Sequence, residues 1–532
     1  LTGARVWIPV WLALGAVLGC ASGPLHKRDW FEVETQHFTI ASSLDREATM
    51  ELASDLERFR SAVEYLQGAN PAPPPEITRT QVYAFDGRGF SRPFAVRGAS
   101  GTFIPTLRGG VIVLRTGKGW RGDATRDLRH EYVHFLFRNR QGINQPIWFD
   151  EGFAQFASTI EVGDESVRVG GVPAEHVQQL RNSNWLSPKR MLPLRDLGAL
   201  GPKQRDVFRA QSWALVHLLL LDQGSPARAR SDAQRYLEEV EKGTPPTRAF
   251  ESAFGVTGEE LLRRLGDVVP GQRFRSAALR ARATPSRFEL RPIAADDVLT
   301  RLGWLSIWLN KPDQAAKYFH MAGSKNVRNA RARAGLASAE RLREHWDEAN
   351  PHYAAALAGA PSDAIVQLEA AHSYRQRAEA ASDPESRADL AARARLHYQR
   401  SIDASPRVAE PHAGVGATYL IRGEPSAQSA DPLERARELQ PSSLEIELLR
   451  AESAVARGHL GLGRHRALNV VSRTHSRKLS HAACGLVHRI DRCRLASVEV
   501  DPTDSKEPGA GGDNSSRNLC GIAQPEQWEP CD

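Results

Sequence analysis

Cysteine is nearly missing from the body of the chain: of five in 532 residues, one is Cys20 and the other four (Cys484, Cys493, Cys520 and Cys531) follow His459. No C-x-x-C pair exists, which excludes the usual cysteine-ligated zinc modules. In an oxidising compartment, disulfides are open only to the four late cysteines. No run beyond the first twenty residues reaches membrane-spanning length; Ala214 to Leu221 is apolar but short and carries His217. A basic block with interleaved aromatics is also missing. The net charge of +7 is spread along an arginine-rich chain, which gives a solvated surface and no expected nucleic-acid partner. What remains, 41% hydrophobic and 25% charged, is ordinary globular composition with length enough for three or four domains.

At the start, Val6 to Gly19 is a mostly apolar run behind Arg5, too short to span a bilayer and suited to a signal-peptide core. It ends in Val17-Leu18-Gly19-Cys20, which resembles the bacterial lipobox. That resemblance implies a signal peptide over residues 1–20 and lipidation of Cys20. With Ala21 rather than Asp after the cysteine, it implies a lipid-anchored envelope protein at the outer membrane facing the periplasm, held to the membrane by its anchor only.

The chemistry-bearing stretch is His130-Glu131-Tyr132-Val133-His134. Four residues apart on a helix, the two imidazoles stand one above the other and can reach one metal ion with Glu131 alongside. Leu128, Val133, Phe135, Leu136 and Phe137 supply the apolar face of a buried helix, and Gly110 to Arg115 reads as a strand before it. Phe137 and Arg140 stand where a metzincin would have Gly and His, so that class is excluded. The third ligand must then be an acidic residue from the next helix. Glu151 lies 17 residues after His134, beyond a turn at Gly142 and Pro146.

His130-Glu131-Tyr132-Val133-His134, followed by Trp148-Phe149-Asp150-Glu151-Gly152-Phe153-Ala154, resembles the gluzincin metallopeptidases. That clan includes the alanyl-type aminopeptidases and the bacterial peptidase-MA-like proteins. The resemblance implies a zincin-like α+β domain with His130, His134 and Glu151 as ligands of one zinc ion and Glu131 as the general base of peptide-bond hydrolysis. Asp150 is the rival ligand; the family pattern places the ligand directly before Gly-Phe-Ala and gives Asp150 a supporting role. The family's tyrosine before the Gln-Ser-Trp run is replaced here by Phe208 and Arg209, which leaves Arg209, His176 and Tyr236 as candidates for oxyanion support.

Taken in order, residues 30–160 are expected to form the α/β lobe, with one strand from Trp30 to Ile40, a helix from Leu44 to Gly68, and strands at Thr80 to Phe85, Gly101 to Pro105 and Gly110 to Leu114. Gly101 to Pro105 reads as an edge strand able to accept an extended peptide. A helical subdomain follows to 268, with His217 on an apolar face as a core histidine, and 269–294 reads as a linker. Over 295–460, apolar positions eight residues before Pro361, Pro406 and Pro441 resemble tetratricopeptide units. The first interval is lengthened by an insertion near Glu379 to Asp389. Such an all-α solenoid implies a concave surface for a protein partner. Residues 461–532 change character abruptly, as a shifted reading frame would produce, and read as an irregular tail. The leading functional expectation is an envelope zinc metallopeptidase acting on a peptide or protein substrate; its rival is a non-catalytic scaffold whose repeats bind a partner.

Overall fold

The computed structural model describes residues 25–68, 79–86, 94, 101–116, 120–121, 125–142, 144–163, 166–195, 197–222, 226–280 and 288–498. The segment ending at Cys20, and Cys520 and Cys531, lie outside the described residues. The chain begins with β1 (Phe31–Glu34), β2 (Phe38–Ser42), α1 (Arg46–Leu66), β3 (Thr80–Asp86), β4 (Gly101–Thr106) and β5 (Gly109–Thr116). Next come α2 (Arg126–Gln141), α3 (Ile147–Ser158), β6 (Glu161–Val162), β7 (Ser166–Val169), α4 (Ala174–Arg181) and α5 (Pro188–Met191). Then follow α6 (Pro202–Leu221), α7 (Pro226–Glu241), α8 (Pro246–Phe254), α9 (Gly258–Val268), β8 (Ala277–Arg280) and β9 (Leu290–Pro292).

The main sheet runs β4-β5-β3-β2-β1-β9, with β2, β3 and β5 mutually parallel and β4 antiparallel at one edge. Parallel strands need cover on both faces, and the alternating side chains provide for it. Ile40, Val82, Ala84, Ile112 and Leu114 face a core shared with Leu56, Phe59 and Val63 of α1 and Tyr132 and Val133 of α2. Ala41, Tyr83, Phe85, Val111 and Val113 face the other way, onto Val298, Leu302 and Leu305. Those three belong to α10 (Ala295–Trp308), the first helix of the repeats. The lobe and the repeat array therefore share a core.

Two sequence expectations are corrected here. The single strand from Trp30 to Ile40 is a hairpin, β1 paired antiparallel to β2, because Thr35 turns the chain: its hydroxyl accepts from the Phe38 amide at 3.0 Å. The linker 269–294 is not a free connection. It supplies β8, which pairs with β7 in the small sheet β6-β7-β8, and β9, which pairs with β1. Its Arg, Ala and Pro composition hid this, since edge pairing satisfies backbone groups and asks little of side chains.

The remaining helices are α11 (Pro312–Lys325), α12 (Ala330–Leu342), α13 (Trp346–Gly359), α14 (Ala364–Ala380), α15 (Pro384–Ala404), α16 (Ala409–Thr418), α17 (Ala430–Leu439), α18 (Leu444–Ala456), α19 (Leu460–Arg473) and α20 (Arg477–Val498). From α10 to α19 they pack as consecutive pairs, and the first helices of successive pairs also touch. This is a tetratricopeptide-like array. The insertion lengthens α14 and α15 into the longest pair, turned at Asp383, whose carboxylate caps α15 through the Ser386 amide at 2.8 Å. Close approach depends on small residues: a Cβ on Gly303 or Gly335 would stand 2.5 or 2.3 Å from Phe319, whose ring fills the gap between α10 and α12.

The expected irregular tail from 461 is also corrected. Leu448, Ala451, Ala467, Val470, Ala483, Leu486 and Ile490 bury one another, so α18, α19 and α20 form a packed unit as far as the described residues reach. Apolar residues spaced for a helix sit among basic ones there, and burial of that one face overrides the polar composition. Cys484 is disulfide-bonded. Among the described residues no helix is long and apolar enough to cross a membrane.

Candidate functional site

The α2 helix carries His130, Glu131 and His134, and its C-terminal N–H at Gly142 (φ +75°) closes on the Arg138 carbonyl at 2.8 Å before the chain turns back through Pro146 into α3. The expected turn at Gly142 and Pro146 is the observed one. It lays α3 against α2, so that His134 Nε2 is 3.1 Å from His130 Nε2 and 3.4 Å from Glu151 Oε1. All three residues are buried.

Gly152, next to Glu151, is where α3 meets α6. A Cβ there would stand 2.4 Å from the Ser212 carbonyl oxygen, a backbone atom that cannot rotate away. Gly152→Ala should therefore destabilise the lobe by about 1–3 kcal/mol through overpacking, read as a lowered midpoint of thermal unfolding. An unchanged midpoint would mean the helices have room that the geometry denies.

Asp150 takes the supporting place. Its Oδ1 is 3.0 Å from His134 Nδ1, and its Oδ2 accepts from Arg138 Nε and Nη2 at 3.0 and 2.7 Å. Burial opposes the Asp150 charge, but Arg138 and His134 outweigh it and hold the carboxyl well below its usual range. His134 is thereby fixed with Nδ1 toward Asp150 and Nε2 toward the cluster. Burial and the neighbouring His134 push His130 down to about 3, so its ring is neutral and able to donate a lone pair.

A residue that nothing in the sequence singled out completes the site. His475, in the turn between α19 and α20, has Nδ1 2.6 Å from Glu131 Oε1 and Nε2 3.6 Å from Glu151 Oε1. These hydrogen bonds raise its basicity to about 10, and they outweigh the burial of Glu131, whose carboxyl is lowered to about 2. His475 is delivered by the end of α19. Arg473 Nη2 donates to the Gln145 carbonyl at 2.6 Å, Arg138 Nη1 to the Arg473 carbonyl at 3.3 Å, and Asn469 to Asn144 at 3.0 Å. Glu131 and His475 are separated by 344 residues, so no local pattern connects them.

The donor set fits a zinc ion: two imidazole nitrogens and one carboxylate converge, and Glu151 Oε2 is buried without a hydrogen-bond partner. The candidates for oxyanion support divide. Tyr236 is buried in the helical subdomain, its hydroxyl accepting from Trp148 Nε1 at 2.9 Å. Arg209 reaches to 3.9 Å from Glu151 Oε2. His176, which bonds Gln155 at 3.1 Å, lines a cavity of about 230 Å³ together with Arg126, His130 and Glu131. His217 is a core histidine as expected, bonded to the Gly170 carbonyl at 3.3 Å.

A second site lies where the lobe meets the repeats. The turn between β4 and β5 enters the face made by the first helices of the pairs. Arg108 bridges Glu369 of α14 and Glu410 of α16 and lies over the Trp304 ring. Leu107 packs against Ala409, Ala413 and Ile446, and Gln440 Nε2 donates to the Thr106 carbonyl at 2.7 Å. The edge strand read at Gly101 to Pro105 is thus β4, and the tip of its hairpin is already engaged within the chain.

No protein-family model and no curated protein matches this chain. Solved structures similar to it include repeat proteins. One is a thermophilic tetratricopeptide-repeat protein of Thermus thermophilus (20% identity, 36% of this chain and 99% of that one, TM-score 0.34). Others are PilF of Pseudomonas aeruginosa (16%, 38% and 87%, 0.30) and yeast Tom70 (12%, 73% and 77%, 0.30). At these scores the likeness carries no functional argument, and the repeat assignment rests on the helix pairing above.

The expectation of a metallopeptidase is corrected at this point. The site gives the physical reason. Hydrolysis needs an open metal position for water and a free general base. Here the His475 ring stands beside the ligands, and Glu131 is bonded to it.

Proposed function

We propose that the chain is a protein-binding scaffold whose repeat array holds segments of other proteins, and whose zincin-like α+β lobe is braced by zinc. One observation carries the binding reading: the array already grips a protein segment by its chemistry. Two carboxylates flank a guanidinium, an apolar notch takes a leucine, and a side-chain amide reads a backbone carbonyl. A partner with an exposed basic side chain next to an apolar one meets the same recognition. His130, His134 and Glu151 would hold the zinc, which when bound ties α2 to α3. An envelope location with lipid on Cys20 is part of the proposal and rests on the lipobox-like run alone.

The test is a labelled hairpin peptide reproducing residues 101–112, offered to the full chain and to its Arg108→Ala variant. The variant, with the guanidinium's place between Glu369 and Glu410 vacant, should bind the peptide and return it uncut, whereas the wild type should bind it weakly. Adding Glu410→Gln should reduce the variant's affinity, because one of the two carboxylates that face the guanidinium loses its charge. If the variant ignores the peptide, the binding reading fails.

A further inference from the structure

We infer that His475 is a fourth metal ligand, closing the zinc site and clipping α19 and α20 to the lobe. This rests on the reading that His130, His134 and Glu151 hold zinc. Four donor atoms, one each from His130, His134, Glu151 and His475, all lie within 4.8 Å of one another. Donors on a tetrahedral zinc with bonds of roughly 2.0–2.1 Å stand about 3.3 Å apart. The separations here are 3.1 Å for His130 to His134, 3.4 Å for His134 to Glu151, 3.6 Å for His475 to Glu151 and 4.0 Å for His130 to Glu151.

The second nitrogens of two of the rings are committed in the manner of ligands, while His130 Nδ1 is buried without a partner. His134 Nδ1 is taken by Asp150 and His475 Nδ1 by Glu131, which leaves Nε2 of each ring turned into the cluster. A carboxylate behind a histidine fixes its tautomer and strengthens it as a donor. Glu131 is thus a positioning residue for His475. The geometry also explains why an exposed turn is held over a buried cluster: Arg473, buried and bonded to Gln145, anchors the residue two before His475.

The site is then of structural type, three imidazoles and one carboxylate without an open position. Its occupant joins helices α2 and α3 to a segment more than 320 residues further along the chain.

The test uses the full zinc-loaded chain. X-ray absorption at the zinc edge should count three imidazoles in the wild type and two in His475→Ala. Zinc affinity, measured by competition with a chelating dye, should fall at least 10-fold in that variant, the lower end of the effect known for supporting groups. Hydrogen exchange at residues 474–480 should rise when wild type is stripped of zinc, and should be insensitive to stripping in His475→Ala. Two imidazoles in the wild type, or equal affinity in the two proteins, overturns the inference and leaves the three-ligand site standing. If neither protein takes up zinc while both stay folded, the three-ligand reading fails, and the inference with it.

Discussion

Asp150→Ala should lower the unfolding free energy of the lobe by about 3–5 kcal/mol, the cost of leaving a buried charge without its partner. Arg138 and Asp150 are both buried, and the carboxylate accepts two of the guanidinium's donors. Once it is gone, the Arg138 guanidinium keeps the Arg473 carbonyl, at 3.3 Å, as its hydrogen-bond acceptor. Replacing both residues, with Arg138→Met added, should recover most of the loss, because a buried pair exchanged for apolar groups of similar volume is nearly neutral. Urea titration followed by the fluorescence of the buried Trp120, Trp148 and Trp213 measures this. A single-variant loss below about 1 kcal/mol would place the pair among solvent-screened bridges and contradict its burial.

Arg108→Met should have a cost of similar size, about 3–5 kcal/mol at neutral pH, and an unusual dependence on acid. In the wild type, burial opposes the charge of Glu410, but Arg108 and the bond to His372 outweigh it and hold its carboxyl well below the ordinary value of 4.5. Glu369 is lowered on the same balance, with Arg108 the main opposing charge. A carboxyl depressed in the folded state contributes stability that is present above 4.5 and lost as pH falls toward the folded value. In the variant the sign reverses. Glu369, buried, and Glu410, part-buried, lose the cation they share and their carboxyls rise, so they penalise the fold at neutral pH, and protonation relieves them. The gap between wild type and variant should therefore narrow steadily below about pH 5. A gap constant from pH 7 to pH 4 would sink the argument, since it would mean that Arg108 contributes packing rather than charge.

Much of the site was readable because its chemistry is local. His130 and His134 are one helical turn apart, and the turn through Gly142 and Pro146 can only bring the next helix back alongside. The pairing of His130 with His134 therefore follows from spacing, and the choice of Glu151 over Asp150 follows from the gluzincin resemblance. The resemblance gave Asp150 a supporting role, and the structure set it behind His134. The repeats were readable because one helix pair recurs, and a recurring pair must bury its face against its own copies.

What the sequence by itself determined is thus every feature whose partners lie within a turn or a repeat: the helix that carries His130 and His134, its returning neighbour and the paired helices. The tertiary structure alone decided the features whose partners are hundreds of residues apart. α10 covers the second face of the sheet, so the lobe and the array are one body and the 269–294 segment is part of both sheets rather than a tether. Arg108 is engaged by the repeats, and His475 reaches Glu131 across 344 residues. A lone arginine or histidine carries no periodicity, so its role is set only when packing brings it to a buried group of complementary chemistry. Here packing brought His475 to Glu131, the base that a peptidase would need free.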